Sequence, residues 1–162
     1  MSAGVAQPEP VVSPPLDRRA ARVLLVDDAG RVLLLTGGDP AEPSRGSWWF
    51  TPGGGVEADE SPVQAAAREL AEETGLRVAP PDLGDVVHQR VTHFRFCGAD
   101  YRQSEDYFLL RVTSYDVDLS GADAIVDPGV TGHRWWPMPA LRETAETVFP
   151  AELADVLDRV LA

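Results

Sequence analysis

The sequence predicts an α/β domain in which helices cover both faces of a mixed β-sheet, a three-layer αβα sandwich. Three features point there. Strand-like apolar runs lie on both sides of one sharply delimited helical segment, short turn signals pair several of those runs, and the chain closes on helical sequence. At 162 residues the chain has the size of one domain and can bury a real core.

Residues 1–17 are rich in proline, alanine and valine without periodicity and read as a flexible leader, which leaves 18–162 as a single domain. Two apolar runs, Arg19 to Asp27 and Arg31 to Thr36, flank Asp28-Ala29-Gly30 and read as a hairpin. Gly37 to Ser47 is loop, Trp48 to Thr51 a strand, and Gly53 to Gly55 a turn. A helix follows from Pro62 to Thr74, then a break at Pro80-Pro81. Val86 to Phe96 and Tyr101 to Thr113 read as long strands joined by Cys97-Gly98-Ala99-Asp100. His133 to Trp136 is a short strand, and Pro139 to Glu146 and Ala151 to Leu161 are helical.

The central helix has the clearest limits. Ser61 with Gln64 forms a capping box, Pro62 takes the first helical position, and Gly75 stands just past the last turn. On a helical wheel Val63, Ala66, Ala67, Leu70 and Thr74 share one arc, while Glu69, Glu72 and Glu73 gather on another. Like charges at that spacing repel, and Glu72 and Glu73 stand at the negative end of the helix dipole. A cluster of oxygen ligands so placed suits a hard divalent cation such as Mg²⁺; a solvated acidic face is the alternative.

The spacing from Gly54 through Glu60 to Arg68-Glu69-Leu70-Ala71-Glu72-Glu73-Thr74-Gly75-Leu76 resembles the signature of the Nudix hydrolases at every fixed position. Trp49 to Gly54 looks like the strand and turn that lead into that motif, and Arg134 to Pro137 is similar to a late strand of many members. The resemblance implies the sandwich fold and Mg²⁺-dependent hydrolysis of a pyrophosphate bond, with Mn²⁺ as a substitute cation. It implies that Glu69, Glu72 and Glu73 ligate the metal with the Gly53 carbonyl, that Glu60 adds to the cluster, and that Arg68 holds the glutamates in position. Glu73 or Glu72 would serve as general base, with Glu105, Asp106 and Asp127 as acids outside the motif.

Such a reaction needs charge neutralised on phosphate oxygens and a water deprotonated beside phosphorus, tasks suited to Mg²⁺ and a nearby glutamate. Substrate-binding candidates are Arg45, Trp49, Gly54, Gly55 and Arg95, with Arg90 as an alternative. In an extended strand Trp48 and Phe50 share one face and Trp49 the other, so one side is core and the other can line a pocket. Gln89 to Phe96 lacks the tyrosine or proline that often marks the subfamilies for dinucleoside polyphosphates, ADP-ribose and coenzyme A, which counts against them, and a compact chain with few additions resembles the members that act on nucleoside triphosphates, including oxidised ones. The alternatives are a non-catalytic nucleotide-binding sensor or scaffold and an isopentenyl diphosphate isomerase. The intact motif weighs against both.

A net charge of −12 opposes long-range steering onto nucleic acid, so phosphates must be received by metal and local arginines. All fourteen basic residues are arginine, whose fork suits phosphate. The single cysteine, Cys97, gives no internal disulfide and reads as a small buried apolar group. No run approaches membrane-spanning length, and no signal peptide opens the chain, so a cytoplasmic location is expected. His88, His93 and His133 lack ligand spacing. A small-molecule nucleotide or pyrophosphate is the expected partner, and a homodimer is left open.

Overall fold

The computed structural model describes residues 13–121 and 129–162. The chain forms β1 (Leu16–Val26), β2 (Val32–Gly38), β3 (Ser47–Phe50), β4 (Gly53–Gly55), α1 (Pro62–Thr74), β5 (His88–Phe96), β6 (Ala99–Arg111), β7 (Val130–Trp136), α2 (Met138–Glu143), β8 (Val148–Phe149) and α3 (Leu153–Leu161). The sheet order is β5-β6-β1-β2-β3-β8, with β4 added to β1 and β7 to β2. It is mixed, because β1 runs parallel to β6 over its whole length and β3 parallel to β8, while the remaining pairs are antiparallel.

Alternation along β1 sends Ala21, Val23 and Leu25 to one face, where they meet Ala66 and Leu70 of α1. Leu24 and Val26 go to the other face, against Leu153, Val156 and Leu157 of α3 and Leu141 of α2. Helices on both sides of a mixed sheet make the expected sandwich. The α1 limits match the capping signals. Gln64 N–H donates to Ser61 Oγ, Ser61 N–H donates to Gln64 Oε1, and Gly75 closes the helix at φ 78°.

Four expectations change. The sheet begins at Leu16, so residues 16 and 17 belong to β1 rather than to the leader, most of which lies outside the described residues. The glycine turn is a strand, β4, paired with Ala20–Arg22 of β1. The expected helix to Glu146 stops at Glu143, and Val148–Phe149 forms an edge strand instead. Cys97 is exposed, because it takes φ 48° beside Gly98 at φ 80° in the tight β5–β6 turn rather than standing within a strand.

β2 meets β1 at only one register position, Val26↔Val32, and pairs with β3 from Leu35 onward. The sheet therefore splits between β1 and β3, and β4 covers the part of the β1 edge left open. A cleft opens there, drawing on β1, β4, β5 and β6 on one side and on β3 and β8 on the other.

Candidate active site

Two of the three α1 carboxylates, Glu69 and Glu72, are held by one guanidinium. Arg68 Nε and Nη2 donate to Glu60, Nη1 donates to Glu69 at 3.0 Å and to Glu72 at 3.4 Å, and Glu57 stands 3.8 Å away. Arg68 Nη2 also donates to the Gly55 carbonyl at 3.0 Å, fastening the glycine strand to the helix. Four carboxylates around one cation keep the cluster acidic while relieving much of its repulsion. The hydrogen bonds from Arg68 hold the Glu60 carboxyl below its ordinary range, and Glu60 in turn holds Arg68 in its charged form.

The wheel placed Glu69 and Glu73 on a separate acidic face, but neither is in open solvent. Glu69 is 7% and Glu73 1% exposed, because both point at β4, where glycines leave room for them. A Cβ on Gly54 would lie 2.4 Å from Glu69 Oε1. A Cβ on Gly55 would lie 2.9 Å from Arg18 Nη2, on the side facing the cleft. Gly53, at φ 147°, donates its N–H to Glu73 Oε1 at 2.7 Å and offers its carbonyl to Arg22 Nη1 at 3.2 Å. A strand without side chains thus carries helix carboxylates on one side and an arginine on the other.

The cleft has a volume of about 660 Å³. Glu105 lies in its floor, 2% exposed, with Arg22 and Arg90 each donating to it. Burial pushes the Glu105 carboxyl up, but the two guanidinium groups outweigh burial and hold it below its ordinary value. Burial beside Glu105 pushes the Tyr107 phenol up to about 12. Around this charged floor stand aromatic walls. Phe94 stacks on Tyr101 with centroids 5.3 Å apart, and Trp48 meets Phe149 edge to face at 6.2 Å.

Of the sequence candidates, Gly53, Gly54, Glu69, Glu73, Arg45 and Arg95 line the cleft. Arg45 donates to the Arg95 carbonyl at 2.7 Å and lies over the Trp48 ring at 5.3 Å, tying the β2–β3 loop to the end of β5. Arg68, Glu60, Glu72 and Gly55 stand beside the cleft, joined through Arg68. Trp49 is not a wall of it. Its ring packs on Trp136 at 5.2 Å and its Nε1 donates to Glu146, so the cleft-side aromatics of β3 are Trp48 and Phe50. Among the outside acids Glu105 reaches the floor, Asp106 turns to the other face and accepts from Gln89, and Asp127 lies outside the described residues.

Sequence reasoning missed Arg18, Arg22, Gln103, Tyr101 and Phe149 as cleft residues. For the first two a signal existed. Both sit at even positions of β1, on one face, among residues that are otherwise small or apolar. Phe149 had none, since its placement depends on an edge strand of two residues.

The donor set fits a hard divalent cation in kind, since Glu69, Glu72, Glu73, Glu60 and the Gly53 carbonyl offer only oxygen, and the space left by the missing Gly54 side chain admits the Glu69 carboxylate. Among the described residues no three acidic, histidine or cysteine side chains already converge as a ligand set. Arg68 shares the oxygens of Glu60, Glu69 and Glu72, the Gly53 N–H that of Glu73, and Arg22 the Gly53 carbonyl.

A NUDIX domain model matches residues 16–159. An RNA pyrophosphohydrolase from Gluconacetobacter diazotrophicus is 33% identical over 135 residues, covering 78% of this chain and 80% of that protein. An RNA pyrophosphohydrolase from Azorhizobium caulinodans is 30% identical over 147 residues, covering 82% of this chain and 83% of its own. The crystal structure of a MutT protein from Methanosarcina mazei Go1 superposes with a TM-score of 0.67 at 23% identity, over 91% of this chain and 95% of that one.

Proposed function

The chain belongs to the Nudix hydrolase family as a pyrophosphohydrolase, and we propose that it cleaves the pyrophosphate bond of a nucleoside diphosphate-linked compound, a nucleoside triphosphate foremost, with Mg²⁺. The observation that carries this reading is the approach of Glu69 and Glu73 to the glycine strand at the edge of an arginine-lined cleft. Glu69, Glu72 and Glu73 would hold the ion with the Gly53 carbonyl, and Glu60 would add charge beside them. Bound Mg²⁺ supplies neutralisation of the pyrophosphate oxygens and a more acidic attacking water.

The protein's own groups account for the rest. Glu73 lines the cleft whereas Glu72 lies outside it, so Glu73 is the better placed base for the water proton. Arg18 and Arg45 reach the cleft from opposite walls to receive phosphate oxygens against an adverse overall field. Arg22 and Arg90, fixed on Glu105, keep further donors for the same anion. Mn²⁺ would replace Mg²⁺ at an all-oxygen site.

The likeness to RNA pyrophosphohydrolases favours a second reading, in which the triphosphate sits at an RNA 5′ end. One screen separates the two. Nucleoside triphosphates, nucleotide sugars, dinucleoside polyphosphates, ADP-ribose and a 5′-triphosphorylated oligoribonucleotide are incubated with Mg²⁺, and released phosphate and pyrophosphate are measured. Turnover of free nucleotides is expected. Release from the oligoribonucleotide alone establishes the second reading, and silence across the panel overturns both in favour of a binding module.

A further inference from the structure

Gln103 is the cleft residue that hydrolysis leaves unused. It stands on β6 between Arg18 of β1 and Thr92 of β5, in one transverse row of the sheet, and all three line the cleft. The residue is 2% exposed, and its Oε1 is buried without a hydrogen-bond partner among the described residues. An unpaired amide carbonyl in such a place opposes folding, and beside a cleft it is an acceptor that a turn of the side chain would offer to a ligand donor.

The neighbouring rows limit what that ligand is. One row away Phe94 and Tyr101 stack at 5.3 Å, and across the cleft stands Trp48, edge to face with Phe149. On the other side, two residues or about 7 Å along the strand, Glu105 holds Arg22 and Arg90. Flat aromatic walls, then a polar acceptor, then guanidinium groups match the order of base and phosphates in a nucleotide. We propose that Gln103 reads the nucleobase, its Oε1 accepting a hydrogen bond from an exocyclic amino group. This rests on the nucleotide reading above and adds a specificity to it. Nε2 of the same amide donates to the ring nitrogen beside that amine, the fork by which glutamine complements adenine. A site built around such a bond rejects the same ring without its amine.

The test is direct titration of the whole chain, by calorimetry, with two probe pairs that differ only in the amine: AMP against purine riboside monophosphate, and GMP against inosine monophosphate. In at least one pair the amino member binds tighter by on the order of tenfold, and in Gln103→Met that preference falls below about twofold. Equal affinities within both pairs, binding of none of the probes, or a preference that survives in Gln103→Met overturns the proposal. The native comparison does not depend on the variant's folding. Turnover of nucleoside triphosphates is read separately. Hydrolysis without base preference overturns this inference alone, while base preference without hydrolysis supports it and overturns the catalytic reading.

Discussion

Glu73 Oε1 accepts the backbone N–H of Gly53 at 2.7 Å, joining the last turn of α1 to the first residue of the glycine strand. The expected acidic face is therefore a buried strut as well as a candidate base. Glu73→Gln keeps an acceptor for that N–H and loses only the charge. It is expected to cut kcat by at least about a hundredfold while changing stability by less than about 1 kcal/mol. Glu73→Ala also strands the Gly53 N–H and costs about 1 to 3 kcal/mol. Turnover and urea unfolding on both variants check this, and an active Glu73→Gln would remove Glu73 from catalysis.

Neighbouring glycines separate fold from function. A Cβ on Gly53 would stand 2.2 Å from the Ala21 carbonyl oxygen, at φ 147°, and backbone cannot yield there. Gly53→Ala should destabilise by about 2 to 4 kcal/mol. The atoms nearest the Cβ of Gly54→Ala belong to the carboxylate of Glu69, a side-chain end that can swing away. That variant is expected to stay folded and to need roughly ten to a hundredfold more Mg²⁺ for half-maximal turnover. An unchanged Mg²⁺ requirement would separate Glu69 from the ion.

These contrasts show what the sequence made legible. Capping and spacing are local, so Ser61, Gln64 and Gly75 placed α1 to the residue, and the helical period grouped the glutamates. Which way that group looks is a tertiary matter, decided by glycines in a strand that pairs with β1, and it read as a turn. Strand alternation correctly set Trp49 apart from Trp48 and Phe50 but could not say which side was core. Trp136, distant in sequence, decided it. The cleft floor was the least visible part, because Arg22, Glu105 and Arg90 meet only through the pairing of β1 and β5 with β6.

Arg68 stands in for a cation among Glu57, Glu60, Glu69 and Glu72. Arg68→Met removes that charge and its bond to the Gly55 carbonyl. Discounted for its partial exposure, the loss is about 1 to 2 kcal/mol, a melting temperature lower by roughly 2 to 8 °C. Millimolar Mg²⁺ should raise the melting temperature of native protein by mass action, and that of Arg68→Met by more, since the ion then relieves repulsion nothing else screens. Thermal scans with and without Mg²⁺ decide this; a melting temperature indifferent to the ion in both proteins would argue against the metal site.

Glu105 couples stability to pH through Arg22 and Arg90. Its folded carboxyl titrates below the ordinary 4.5, so the unfolded chain takes up this proton first as pH falls. The stabilisation is present above about 4.5 and is lost as pH drops through the folded value. Glu105→Gln cannot titrate and leaves two guanidinium groups, each 19% exposed, facing a neutral amide. At pH 7 the variant should be about 2 to 3 kcal/mol less stable. The gap should hold down to about pH 5.5 and narrow below about 4.5 as the native carboxyl becomes neutral too. Urea unfolding of both proteins at pH 7, 5.5 and 3.5 measures it. A gap as wide at the lowest pH as at neutrality would mean that Glu105 contributes through shape and hydrogen bonding, and that its charge does not hold the two arginines in the cleft floor.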